Sequence, residues 1–205
     1  MGLQKIYYDL YKKISRHLIK KNYIQLDTYI DPRVEIMNSQ YMKIGRADIK
    51  PYSFIYAIKG DFINGEKFQP LIKINDGCTI SRFCQITCSN QLIFEKNVFI
   101  SERVLITDSL HSYNEIKIPI KHQELISHGP IIIGEGSWVG SGSQIIGKLK
   151  IGKNCIIGSN TILNYSVPDY SVVVGSPARL IKRYNLLKGI WEDKNILLKN
   201  VNCNK

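Results

Sequence analysis

From Ile133 to Pro168 the chain repeats every six residues. Ile133, Val139, Ile145, Ile151, Ile157 and Leu163 open successive blocks, and each is a large aliphatic residue. The second positions are Gly134, Gly140, Ile146, Gly152, Gly158 and Asn164, and the fifth are Ser137, Ser143, Leu149, Cys155, Thr161 and Val167. A strand alternates its side chains with period two, so the first and fifth positions of one block face the same way. The large first residue then fills an interior, and the small or β-branched fifth suits a crowded corner. Glycine at the second position is expected to give the backbone the freedom for a sharp bend. Three such bends per turn make a triangular coil, whose turns stack by parallel strand pairing at about 4.8 Å. The pattern therefore predicts an all-β solenoid, a parallel β-helix.

The same period runs upstream less cleanly. Ile74, Ile80 and Ile86 form one set, and Phe94, Ile100 and Ile106 another, with Val98 and Val104 at fifth positions. The step from Ile86 to Phe94 is eight, which predicts a two-residue insertion at one corner. Cys78 and Cys84 fall at fifth positions and are expected to pack the interior, not to bind metal. Ile44-Gly45 marks an earlier turn, while 45–70 has no readable register. Between Ile106 and Ile133 the separation is 27, not a multiple of six. An excursion over 108–130 therefore leaves the coil, and it contains Pro119, Pro130, His111, His122 and His128. Long irregular segments inside compact repeats are usually functional.

The ends read differently. Leu3, Ile6, Tyr7, Leu10, Ile14 and Leu18 share one helical face, with lysines and Arg16 elsewhere, so 1–30 is expected to hold an amphipathic helix. It either packs on the body or lies on an anionic membrane surface. The division expected is a helical segment over 1–30, a β-helix over 31–178 and a helical tail over 179–205, with a short helix in IWEDKNILLKN (190–200). Five cysteines, an odd number without a CxxC pair, point to free thiols. No apolar run is long enough to span a bilayer, and GLQKIYYDLYKK does not resemble a secretory leader. A cytoplasmic protein is expected, with the basic helix able to meet the inner face of the membrane. The net charge of +11 calls for an anionic partner. No nucleic-acid motif accompanies it, so none is expected to bind.

The repeat, together with ITDSLHSYNEIKIPI, GPIIIGEGSWVGSG and VPDYSVVVGSPARLIKR, resembles the hexapeptide-repeat acyltransferases. It is most similar to the maltose and galactoside O-acetyltransferases and to enzymes that acetylate bacterial surface polysaccharides. The resemblance implies a left-handed coil, a homotrimer, acetyl-CoA as co-substrate and a sugar or polysaccharide acceptor. It implies that His111 is the catalytic base, matching the second histidine of an Asp-His-x-His-like stretch, with Asp108 matching its Asp and Ser109 in place of the first histidine. Asp108 or Glu115 is expected to orient the imidazole, and Tyr113 and Asn114 to meet the acceptor. The coenzyme's pantetheine arm is expected along Trp138, Gly140, Ser141 and Ser159. SPARLIKR (176–183) resembles an Asn-Pro-Ala-Lys/Arg element, so Pro177, Arg179, Lys182 and Arg183 are expected near the adenosine 3′-phosphate.

Direct transfer from a thioester to a hydroxyl needs a base of near-neutral pKa, which imidazole supplies. It needs no metal, and none is expected. N-acylation of an amino sugar, free or nucleotide-linked, fits the same fold. A γ-type carbonic anhydrase shares it too, but would need three histidines on zinc, and His122 and His128 are six apart where that family has five.

Overall fold

The structure is a computed structural model and describes residues 27–193. The expected N-terminal amphipathic helix lies outside the described residues. Three parallel faces make up the body, and the chain visits them in a fixed order. The first face begins with Tyr29–Ile30, the second with Glu35–Met37 and the third with Met42–Ile44. Each later strand pairs in parallel with the strand one turn below it. On the first face Tyr29 pairs with Asp48, Asp48 with Thr79 and Thr79 with Phe99. Phe99 then pairs with Trp138, Trp138 with Ile156 and Ile156 with Val172. This is a parallel β-helix.

The first-position residues form its interior. Ile133, Val139, Ile145, Ile151, Ile157 and Leu163 are all fully buried, and so are Ile80, Ile86, Phe94, Ile100 and Ile106. The fifth positions are buried as well, Cys78 and Cys84 among them. Both thiols are free, and burial pushes each up to about 11, as expected of packing groups. Ser137 Oγ donates to the Gly152 carbonyl at 2.7 Å and Ser143 Oγ to that of Gly158 at 2.8 Å, so buried polar fifth positions are satisfied across the turns.

The bends work differently from the sequence expectation. In four of the six blocks the residue in the left-handed region is the fourth, Gly136, Gly142, Asn154 and Asn160, and in the block from Ile145 it is the third, Gly147. The second-position glycine is needed because the turns touch there. A Cβ on Gly140 would lie 2.6 Å from the Ser159 nitrogen, and one on Gly134 would lie 2.5 Å from the Gly152 carbonyl carbon.

Turn length varies at one corner. From Trp138 to Ile156 the turn takes 18 residues, three blocks of six. The turn from Thr79 to Phe99 takes 20, in keeping with the two-residue insertion. Asp48 to Thr79 takes 31 and Phe99 to Trp138 takes 39. These three expansions leave between the second and third faces, where the first turn also carries the short Ser39–Tyr41 helical turn. The first (58–70) separates Phe54–Ala57 from Leu71–Ile74. The second separates Gln85–Cys88 from Gln91–Phe94, and the excursion separates Leu105–Thr107 from Ile131–Ile133. They stack on consecutive turns, so one corner gathers nearly all the irregular chain.

The C-terminal expectation is corrected. Arg179–Asn185 is a strand that pairs antiparallel with Ser171–Val174, and Ile190–Asp193 pairs back on it. Residues 194–200, the rest of the expected short helix, lie outside the described residues. The reason is the last turn of the coil, whose first-face strand has an open edge that the returning chain satisfies. Tyr184 packs edge-on against Trp191 across this hairpin, with ring centroids 5.3 Å apart. Among the described residues no helix is long and apolar enough to cross a membrane.

Candidate active site

The excursion begins and ends as a hairpin. Ser109–His111 pairs antiparallel with Leu125–Ser127, and His111 stands opposite Leu125. The ladder continues as Ser112 N–H donates to the Glu124 carbonyl at 2.8 Å. Gln123 then gathers the loop beyond. Its buried side chain donates to the carbonyls of Glu115 at 2.9 Å and Ile118 at 2.8 Å, and accepts from Glu115 N–H at 3.1 Å. Three bonds from one amide account for the loop's shape better than any hydrophobic packing, since Tyr113, Ile116 and Ile120 point into solvent.

His111 is exposed, and its Nδ1 lies 3.4 Å from the Gln123 carbonyl. A carbonyl only accepts, so this contact favours the tautomer with hydrogen on Nδ1. The lone pair is then on Nε2, free to take a proton. His122 and His128 are also exposed. Among the described residues no three His, Cys, Asp or Glu side chains converge as metal ligands.

Asp108 holds the hairpin's root. Its carboxylate is fully buried, accepts from the N–H and Oγ of Ser89 at 2.7 and 2.9 Å, and accepts from Asn90 N–H at 2.8 Å. Its carbonyl accepts from His128 N–H at 2.7 Å. Both oxygens are thus engaged with the 88–91 corner one turn below. The two-residue insertion provides the donors, and Asp108 ties both ends of the excursion to it. Of the two carboxylates expected to orient His111, Asp108 is committed elsewhere, while Glu115 and likewise Asn114 and Tyr113 sit in the exposed loop.

The residues expected near a coenzyme fall into two groups. Gly140, Ser141 and Ser159 lie at the corner between the first and second faces, where Asn160 N–H donates to the Ser141 carbonyl at 2.9 Å. The chain returns over this corner through Pro177 and Ala178, whose N–H donates to the Ile162 carbonyl at 3.1 Å. Arg179 follows directly. Trp138 lies one turn edge away on the first face, stacked on Phe99 at 6.4 Å, with its indole N–H on Ser101 Oγ at 2.8 Å. Lys182 and Arg183 do not join this cluster. Lys182 pairs with Asp193 at 3.5 Å, and Arg183 lines a groove with Lys150, Ser166 and Asp169 at the corner between the third and first faces.

The profile described as bacterial transferase hexapeptide (six repeats) matches residues 130–164, the stretch whose buried first positions build the upper coil. The stretch 130–164 thus carries the hexapeptide repeat that this profile describes. A Mycobacterium tuberculosis protein described as an acetyltransferase is 33% identical over 96 residues, covering 47% of this chain and 31% of its own. The Escherichia coli lipopolysaccharide biosynthesis O-acetyl transferase WbbJ, so described, is 23% identical over 128 residues, covering 60% of this chain and 65% of its own. The chain thus spans less than two thirds of these curated relatives. The N-acyltransferase AntD of Bacillus cereus, solved with dTDP and coenzyme A, matches at a TM-score of 0.67 with 17% identity, over 92% of this chain and 96% of that one. At that identity the likeness is one of fold.

Two participants in this site were not foreseen. Gln123 has no motif, and only the folded loop shows what its amide gathers. Asp61 comes from the insertion at 58–70, where the period is lost, and its carboxylate accepts from Leu125 N–H at 3.2 Å, directly across from His111.

Proposed function

We propose that the chain is an acetyl-CoA-dependent O-acetyltransferase that modifies a sugar hydroxyl, in bacterial surface polysaccharide biosynthesis, with His111 as general base. The observation that carries this reading is the His111 ring itself: at the exposed rim of the hairpin Nδ1 faces the Gln123 carbonyl at 3.4 Å, and the tautomer that this contact favours leaves the lone pair on Nε2. The acetyl and O-acetyl transferases among the relatives support the reaction class. On this reading the coil is left-handed and the chain a homotrimer in the cytoplasm, with the basic N-terminal segment free to touch the membrane.

The co-substrate supplies an activated acetyl thioester. The residues present suit it at the corner of Ser141, Ser159, Pro177 and Arg179. Ser141 and Ser159 are exposed and small, which lets a narrow chain lie against the backbone, and the exposed Arg179 guanidinium offers a fork for a phosphate. Lys182, engaged by Asp193, and Arg183, at another corner, are assigned lesser parts. Tyr113 and Asn114, on the loop shaped by Gln123, are assigned to the acceptor. His111 Nε2 takes the proton of the acceptor hydroxyl as its oxygen attacks the acetyl carbonyl carbon. When the carbon–sulfur bond breaks, the imidazolium returns that proton to the departing thiolate. No acyl group is held on the protein at any stage.

The test is acetyl-CoA turnover against a panel of sugars, nucleotide sugars and amino sugars, read as thiol release with the product identified by mass. Alkali-labile acetylation of a hydroxyl, lost in His111→Ala, is the expected result. Alkali-stable acetylation of an amine would replace the O-acetyl reading by the N-acyl one. Absence of transfer to every acceptor would remove both.

A further inference from the structure

The insertion at 58–70 forms a small ribbon. Gly60 bridges to Lys67 in antiparallel fashion, Asp61 N–H donates to the Glu66 carbonyl at 2.8 Å, and Phe68 N–H to that of Lys59 at 2.9 Å. Asp61 is the buried residue at its neck, 7% exposed. One carboxylate oxygen accepts from Ile63 N–H at 3.0 Å, which is enough to cap the ribbon's turn. The other does more. It accepts from Asn64 N–H at 3.4 Å and also leaves the ribbon to accept from Leu125 N–H at 3.2 Å, 64 residues along the chain. Beside it, Asn64 Nδ2 donates to the Glu124 carboxylate at 3.2 Å.

The strand so gripped is the one that faces His111. Gln123 offers its carbonyl to the imidazole, Glu124 its carbonyl to Ser112, and Leu125, opposite His111, its N–H to Asp61. The histidine and the carboxylate thus hold the same short strand from two sides. Resting on the acetyltransferase reading above, we propose that Asp61 is a positioning residue for His111: it fixes the strand that sets the imidazole's tautomer, and its buried negative charge stabilises the imidazolium that forms during transfer.

The other charges around the hairpin suit this role less well. Asp108 is bound up at the 88–91 corner. Glu115, Glu124, Lys121, His122 and His128 of the excursion are exposed, as are Lys59, Glu66 and Lys67 of the ribbon, so water screens them. Burial pushes the Asp61 carboxyl up, but the N–H groups of Ile63, Leu125 and Asn64 and the positive charge of His111 outweigh it and hold it below the ordinary carboxylate value.

The experiment is an NMR titration of the Asp61 carboxyl in the full chain without acetyl-CoA, comparing the unaltered protein with His111→Gln, a change at an exposed site. Without the ring's positive charge the Asp61 carboxyl should titrate higher, and an unchanged value would overturn the coupling. Asparagine at position 61 keeps one oxygen, for Leu125 or for Ile63, and loses the charge. With an acceptor in hand, Asp61→Asn should lower kcat about tenfold, within the range of couplings in one hydrogen-bond network, with the KM for acetyl-CoA little changed, and Asp61→Glu should recover part of it. An undiminished kcat in Asp61→Asn would overturn the positioning role. The titration needs no acceptor. A failed search for acetyl transfer would therefore remove the functional reading and leave this test standing, whereas an unmoved titration beside intact transfer would remove Asp61 alone.

Discussion

The turn from Trp138 to Ile156 and the turn from Phe99 to Trp138 share the same three faces and the same buried first positions, yet one takes 18 residues and the other 39. In the short turn the repeat sets packing tasks position by position. Ile145 fills, Ser143 satisfies a carbonyl, Gly142 bends and Gly140 lets the next turn close. In the long turn the packing residues are still present, but Asp108, His111, Gln123 and the hairpin are added on one corner. The comparison teaches that this fold separates its stability from its chemistry in space. The strands carry the first, and on the function proposed above the corners carry the second, with the base on the expanded one.

The two kinds of residue should fail in opposite ways. The largest effect is expected at His111, where His111→Ala should lower kcat by about 10²–10⁴-fold with little change in the KM for acetyl-CoA or in melting temperature. Retained turnover with a confirmed acceptor would show that the corner is not where the chemistry lies. Ile157→Ala inverts the profile. It should cost about 2–5 kcal/mol by denaturant unfolding, as deletions of buried aliphatic side chains do, with the active fraction turning over normally. Next in size is Gly140→Ala, whose methyl would meet the Ser159 nitrogen at 2.6 Å; overpacking of this kind costs about 1–3 kcal/mol. A neutral outcome there would mean that the turns can part without penalty. Arg179→Ala should be smallest in stability, within about 0.5 kcal/mol, while raising the KM for acetyl-CoA more than that for its dephospho form. Equal effects on both would show that Arg179 does not read the 3′-phosphate.

How much of this was legible follows the same division. The interior was readable because one side chain per block repeats six residues later, and burial at 0% for Ile133, Val139 and Ile145 matches that pattern. The bends were misread at the residue level. Glycine's two uses, close approach and positive φ, look identical in a sequence, and Asn154 and Asn160 share the second use with Gly136 and Gly142. His111 stood out through a local stretch of residues. Asp61 did not, because nothing in its own segment names a partner 64 residues away, and the loss of period at 45–70 hid the turn that brings them together. The C-terminal strand escaped for a similar reason. Whether IWED is helix or strand is decided by the open edge of Ser171–Val174, a feature of the folded coil.

The Asp61 carboxylate at the expanded corner also carries a pH dependence with a definite sign. The Asp61 carboxyl lies lower in the folded chain than its ordinary value of 3.8, so its contribution to stability is present above that value and is lost as the pH falls through the folded one. Acid unfolding followed on the excursion should therefore begin at higher pH than unfolding followed on the coil, and Asp61→Asn should narrow the gap between the two.

The stacking of all three expansions on one corner bears on how such a protein can change over generations. Each turn of a solenoid touches only the turns above and below it, so its stability is close to a sum of neighbour terms. A loop that lengthens outside the strands leaves those terms almost untouched. Phe94 pairs with Ile133 across the excursion in the same register that Ile133 keeps with Ile151 above it, although far more chain intervenes in the first case. New residues can therefore accumulate at the corner that holds His111 and Asp61 and, on the function proposed above, reshape what the site accepts, while the coil beneath pays nothing for the experiment.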